Sequence, residues 1–273
     1  MVLQMSENLE KFWEYGKRIE QFLRPQTFPI AIKLIKDESE IPAGTKRPKK
    51  DFKVQNFICQ NFSMARRYGW TIAVMDEDCI CRAARGVYRW DSPTPEMVEF
   101  GYKFTVGVYF KDVETAKKRE KHMYLIDDGY IGLVISPLMR TKVKPDLVQI
   151  YCLPAQAMRI TQSYLYMEGG VLEFSDAGSV GSCHLGVIKT FQTNKPQLVL
   201  LGNGDRIWGG AEDHEVMYSI PVNKMDLLIE GLEATHNGGL RYPIPKYMTY
   251  KPGFQRSFEK RAYKRAGGTL VKE

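Results

Sequence analysis

The stretch MDEDCICRAARG, residues 75–86, places Cys79 and Cys81 one residue apart behind Asp76, Glu77 and Asp78 in a chain of 273 residues with five cysteines. Alternate residues of an extended segment point the same way, so these two sulfurs can share one side. Cys59, in FICQNFSMARRYGW, falls near the start of a predicted helix, where free backbone N–H groups and the helix dipole stabilise a thiolate. Cys183 sits in GSVGSCHLG, a glycine- and serine-rich stretch that lets backbone approach a cofactor closely. Cys152, in the apolar QIYCLPAQ, reads as a core residue. Thiolates are soft ligands, and four of them are the usual set for zinc or a cubane iron–sulfur cluster.

The spacing itself supplies no ready-made motif. There is no C-x-x-C pair and no zinc-ribbon repeat, so any site must be gathered by folding from distant segments, and scattered buried thiols remain an open alternative. The acidic triplet before Cys79 adds like charge and raises the cost of another thiolate. On this reading Cys59, Cys79, Cys81 and Cys183 are the metal- and cofactor-binding residues. The cofactor is an iron–sulfur cluster, 4Fe–4S in preference to 2Fe–2S, with zinc as the alternative. The expected role is electron transfer or membership of a redox complex, with a redox partner protein. Catalytic residues are unassigned, and whether the chain is an enzyme stays open.

A different class of function rests on other residues. LGNGDRIWGG, residues 201–210, follows a strand and places Gly202 and Gly204 where backbone N–H groups can point at an anion, although an Asn-Gly hairpin turn explains it without chemistry. Asp205 and Arg206 then pair with each other or with a ligand carboxylate. THNGGLRYPIP, residues 235–245, sets His236 and Arg241 near two glycines, either as a plain helix cap or as an anion-binding corner. Together Arg206, His236, Arg241, Gly202 and Gly204 outline a metal-free module or enzyme for small carboxylate metabolites. His184 is a metal ligand, a proton carrier or a structural residue. No Ser-His-Asp order, H-E-x-x-H pair or isolated acid pair points to hydrolysis.

The elements that must position these residues are legible in outline. Apolar positions at spacings of three and four over residues 6–23 predict an amphipathic helix ending at Pro25. FPIAIKLI (28–35) reads as a strand, IPAGTKRPKKD after it as a surface loop, and residues 57–68 as a helix closed by Gly69. WTIAVM is a short strand, and DVETAKKREKHM a charged surface helix. In the second half, IYCLPAQAMRITQSYLYMEGG (150–170) resembles MYSIPVNKMDLLIEGLEATHNGG (217–239), with Tyr151 matching Tyr218, Pro154 matching Pro221 and Met158 matching Met225. Apolar runs precede both copies, YIGLVIS and QLVLLGN, so each unit reads as strand, strand, helix, glycine cap. Two such units imply an α+β fold: a mixed, largely antiparallel sheet with flanking helices, the units pairing across a pseudo-twofold axis. One domain over 1–252 is expected, divisible into 1–125 and 126–252, with a basic tail over 253–273.

Hydrophobic residues make up 44% of the chain, enough for a substantial core. The richest apolar run, YIGLVISPLM, falls short of the roughly 20 residues a membrane span needs, so no membrane insertion is expected. The N-terminus lacks a secretory pattern and the cysteine count is odd, which favours a reducing cytoplasm over a disulfide framework. The net charge of +7 is confined to the C-terminus, because residues 1–240 hold thirty basic and thirty acidic residues. No nucleic-acid-binding motif accompanies that basic segment, and nucleic acid is not the expected partner.

The stretches FICQNFSMARRYGWTIAVMDEDCIC, GNGDRIWGGAEDHEVMYSIP and EGLEATHNGGLRYPIPKYMTY resemble the family called domain of unknown function 169, an ancient conserved region of anaerobic bacteria and archaea. The likeness spans roughly residues 20–252. It implies a cytoplasmic protein of anaerobic metabolism with a shared cysteine site comprising Cys59, the Cys79/Cys81 segment and Cys183, and it carries no settled activity.

Overall fold

The chain, described over residues 2–244 and 257–267 of a computed structural model, builds an α+β fold on one six-stranded antiparallel sheet. In chain order the elements are α1 (Val2–Leu23), β1 (Ile30–Ile35), α2 (Pro48–Phe52), α3 (Ile58–Tyr68), β2 (Ile72–Met75), α4 (Arg82–Val87), α5 (Pro95–Thr105), α6 (Val113–Glu120), β3 (Gly132–Pro137), β4 (Leu147–Cys152) and α7 (Pro154–Glu168). A nine-residue π-helix, Gly181–Lys189, runs into α8 (Thr190–Thr193), followed by β5 (Gln197–Val199), α9 (Asn203–Ile207), β6 (Val216–Pro221), α10 (Met225–Asn237) and α11 (Ser257–Arg265). Among the described residues no helix is long and apolar enough to cross a membrane. Of the basic tail, residues 253–256 and 268–273 lie outside the described residues, and Arg261, Lys264 and Arg265 of α11 are exposed.

The strand order is β2-β3-β1-β4-β6-β5, so β3, from the second half of the chain, lies between the two strands of the first half. Helices cover both faces, which is why the strands are near-continuous apolar runs rather than alternating ones: every residue of β2, β3 and β4 is buried. Alternation decides which face each side chain enters. Ile30, Ile32 and Leu34 of β1 join Ile72, Val74, Leu133, Ile135, Tyr151 and Met217 in a core shared with α3, α4 and the π-helix. Ala31, Val148, Ile150, Cys152, Tyr218 and Ile220 face the opposite way, toward α1, α7 and α10. In α1 the predicted stripe holds, with Phe12, Tyr15, Ile19, Phe22 and Leu23 all buried in this second core. Gly69, with φ +73°, closes α3 in the left-handed conformation expected of its C-terminal glycine.

The internal repeat appears as two central antiparallel strands, β4 and β6, with Ile150 opposite Tyr218, each leading into one of a packed helix pair, α7 and α10. Two details differ from the sequence reading. Strand β1 intervenes between β3 and β4, so only the second unit pairs its own two strands. Tyr151 and Tyr218 also face opposite cores, because α7 starts at Pro154 whereas a 3-10 turn, Val222–Lys224, precedes α10 and displaces the match by one pleat. The segment expected to be a surface loop, 41–51, is partly packed. Lys46 bridges Ile72, Pro48 starts α2, and Arg47 is buried against the acidic triplet.

The α7–α10 contact depends on Gly231, where an added β-carbon would overlap the Ser163 carbonyl of α7. Gly231→Ala should therefore destabilise the fold by about 1–3 kcal/mol in urea titration despite alanine's better helix propensity. An unchanged or raised midpoint would show that the helices separate at no cost.

Candidate functional site

Cys59 is the second residue of α3, and its thiol donates to the Gly204 carbonyl at 3.3 Å. Cys79 follows the 3-10 turn Asp76–Asp78 at the end of β2; it is 1% exposed and directs its thiol at the Cys81 carbonyl. Cys81 is the half-buried N-cap of α4, and the intervening Ile80 is 50% exposed, so the two cysteines do alternate with an outward residue. Cys183 is the third residue of the π-helix, and its carbonyl accepts a hydrogen bond from the buried Tyr88 hydroxyl at 2.8 Å. The cysteines thus come from three places, α3, the β2–α4 connection and the π-helix, and Cys79, Cys81 and Cys183 join the core on the first face of the sheet. The elements that carry them, α3, the start of α4 and the π-helix, pack against one another, and burial raises the pKa of all four thiols. They share a neighbourhood rather than a formed polyhedron, since among the described residues no three His, Cys, Asp or Glu side chains stand at metal-ligating spacing. Cys152 belongs to the opposite core, beside α1, α7 and α10.

Burial dominates the electrostatics of the cluster. The lowered pKa expected for Cys59 at a helix N-terminus is overturned. Burial pushes the thiol well up, the nearby Asp205 pushes it further, and the opposing backbone N–H bonds at residues 59 and 60 do not compensate. Burial likewise raises Cys79 to about 12 and lifts Cys81, although N–H groups of Ala84 and Ala83 pull Cys81 back. All four are therefore neutral thiols near pH 7 in the metal-free chain. The acidic triplet is largely neutralised by arginines. Buried Asp78 accepts from Arg47 Nε at 2.7 Å and from the backbone of Lys49 and Met75, Glu77 pairs with Arg47, and Asp76 pairs with Arg85. The repulsion expected from these acids is reduced accordingly.

Two carboxylates organise this region: Asp205, read from the sequence as a partner of Arg206 or of a ligand, and Glu215, to which the sequence assigned no role. Asp205, 5% exposed, accepts from the Ser182 hydroxyl, from Ser182 N at 3.3 Å and from Gly202 N at 3.0 Å, tying the start of the π-helix to α9. The Asn203-Gly204 pair consequently opens a short helix instead of a hairpin turn, and the Gly202 N–H meets the chain's own carboxylate. Glu215 forms a bidentate pair with Arg66 of α3, at 2.8 and 3.0 Å, both side chains being almost fully buried. Ser63 and Arg67 of the same helix donate to the carbonyls of Gly209 and Gly210, and Trp208 stacks on Phe57 at 4.7 Å. An Asp three residues after Gly202 was the one sequence signal for a cap here; nothing in residue type linked Arg66 to a partner 149 positions away.

The residues read as an anion site are divided between the two faces. Arg206 lies on α9, against α3, and contacts the Glu212 carbonyl and Asp213. His236 ends α10 on the other face, its ring 5.2 Å from that of Phe22 and its pKa lowered by burial and by Arg241. Pro245 of the same motif lies outside the described residues. His184, buried, accepts the Tyr124 N–H at Nε2, while its Nδ1 has no partner among the described residues.

The model of the DUF169 family, described as an uncharacterised ArCR, matches residues 18–231. An uncharacterized protein of Methanocaldococcus jannaschii is 27% identical over 223 residues, covering 81% of this chain and 93% of the relative. No solved structure matches the chain.

Because burial raises the thiol pKa values, alkylation of the metal-free protein followed by peptide mapping should be slow at pH 7 at Cys59, Cys79 and Cys183, and fastest of the four at half-buried Cys81. Rapid labelling of Cys59 would restore the helix-end thiolate. Arg66→Leu, which strands Glu215, should cost about 3–5 kcal/mol in chemical denaturation. Burial opposes ionisation of Glu215, but its hydrogen bonds from Arg66 and Glu212 N lower its folded pKa. Its contribution is thus complete above the ordinary carboxylate range and fades as pH falls through the folded value. Glu215→Gln should flatten that part of the acid-stability curve, and an unaltered curve would remove the pair from the account.

Proposed function

We propose that this chain, which belongs to the DUF169 family, is an iron–sulfur protein whose cluster is held by Cys59, Cys79, Cys81 and Cys183 and serves one-electron transfer within a redox complex. The supporting observation is that four cysteines lie on elements packed against one another, α3, the β2–α4 connection and the π-helix, while Cys152 belongs to the other core. Their number and softness fit a 4Fe–4S cluster, and the same set suits zinc. Their raised pKa values fit too, because buried thiolates without a cation are costly, whereas a metal centre supplies the positive charge that draws the protons off. This chain would hold the centre and exclude water from it. Cys81, the least buried of the four, is the side from which an electron partner would approach.

Protein purified without oxygen should be brown and contain about four iron and four sulfide per chain. Cys81→Ser and Cys183→Ser should each remove or destabilise that content, while Cys152→Ser leaves it intact. A colourless protein with about one zinc per chain would transfer the site to structural zinc. Absence of both metals after anaerobic reconstitution would end the metal reading.

A further inference from the structure

At the edge of the sheet formed by β5, a cleft of about 700 Å3, none of whose lining residues is a cysteine, opens between the C-terminal end of α7, the segment 169–175 and the turn leading into β5. That volume lies within the range of small-metabolite sites. Tyr124, Tyr164 and Phe174 give it aromatic surface. Lys189, Lys195 and Lys224 line it as well.

Lys189 is the unusual member. It is the last residue of the π-helix and is 8% exposed, yet its ammonium donates only to the Ser175 hydroxyl. No carboxylate pairs with it among the described residues, and burial alone lowers its pKa. Buried lysines ordinarily have a counter-charge, because an isolated ammonium in a low-dielectric site is expensive. Neither Lys195 nor Lys224 has an ion pair among the described residues. Glu168 and Glu173 also line the cleft, but both are exposed and pair with none of the three lysines. Gln197, 2% exposed, adds a buried amide whose Oε1 has no hydrogen-bond partner. The cleft thus combines a largely buried lysine that no carboxylate among the described residues pairs with, two further lysines and a wall suited to a carbon skeleton. π-Helical turns are rare and frequent at functional sites, and this one places Lys189 at the cleft.

We infer that this cleft binds a small organic anion, a metabolite bearing carboxylate or phosphate groups, with its charged group on Lys189 and its skeleton against Tyr164 and Phe174. Lys195 and Lys224 attract the ligand from the rim. The site involves none of the four cysteines and stands whether or not they hold a metal.

The test uses the full chain at low ionic strength, with citrate and inorganic phosphate as probes in calorimetric titration. Citrate, phosphate or both should bind saturably at one site. Lys189→Met should weaken binding at least about tenfold, the loss of one charge-assisted hydrogen bond. The Lys195→Ala, Lys224→Ala double variant should weaken it severalfold, whereas Lys50→Ala, at an exposed lysine in α2, should bind as the unaltered protein does. Failure of both probes to bind below about 10 mM, or full affinity in Lys189→Met, would overturn the assignment. Should Lys189→Met not fold by circular dichroism, the double variant decides, and its retention of full affinity is the negative result.

Discussion

The buried Arg66–Glu215 pair is the constraint on which the cysteine region depends. Arg66 has no exposed side-chain surface, stacks 4.1 Å above the Tyr151 ring and directs two N–H groups at one carboxylate. It fastens α3 to the segment that runs from α9 into β6. Asp205, at the other end of that segment, fastens the π-helix. These two carboxylates tie the helix that carries Cys59 and the π-helix that carries Cys183 to the same segment, 205–215. A stranded charge in either place is costly, so the geometry of the region is held by penalties as much as by attractions.

The same burial that orders the site sets its chemistry. A thiol at a helix N-terminus gains from the helix dipole only while solvent or a cation helps carry the charge, and in Cys59 both the N-terminal N–H bonds and the opposing burial are present, with burial the larger. Such a site is a poor home for a free nucleophile, and under the proposed function its thiols release their protons as a metal enters. Arg47 and Arg85 make this tenable by engaging the acids of the triplet. The small-anion chemistry first read into Arg206, His236 and Arg241 is divided by the sheet, while Lys189, largely buried and unpaired with any carboxylate among the described residues, lies in an apolar sequence context that gave no hint of a cleft.

The sheet is the frame that separates these regions. Each strand sends alternate side chains to opposite faces of the sheet, and a shift of one residue exchanges them. Tyr151 and Tyr218 illustrate this, being matched in the repeat yet pointing to opposite sides. The interleaving of β3 between β2 and β1 also joins the Cys79/Cys81 segment to strands from the second half of the chain.

By itself the sequence determined what depends on neighbours a few residues away. The amphipathic α1, the glycine-closed α3, the apolar strands, the α+β class and the α7 and α10 units all follow from periodicity and caps, and the family resemblance from local stretches. It also singled out the four cysteines by residue type. Only the tertiary structure decided that the elements bearing them pack together, that Asp205 occupies the Gly202 amide, and that Arg66 meets Glu215. These outcomes depend on contacts across as many as 149 positions and on desolvation, a property of the assembled interior that no short stretch of residues carries.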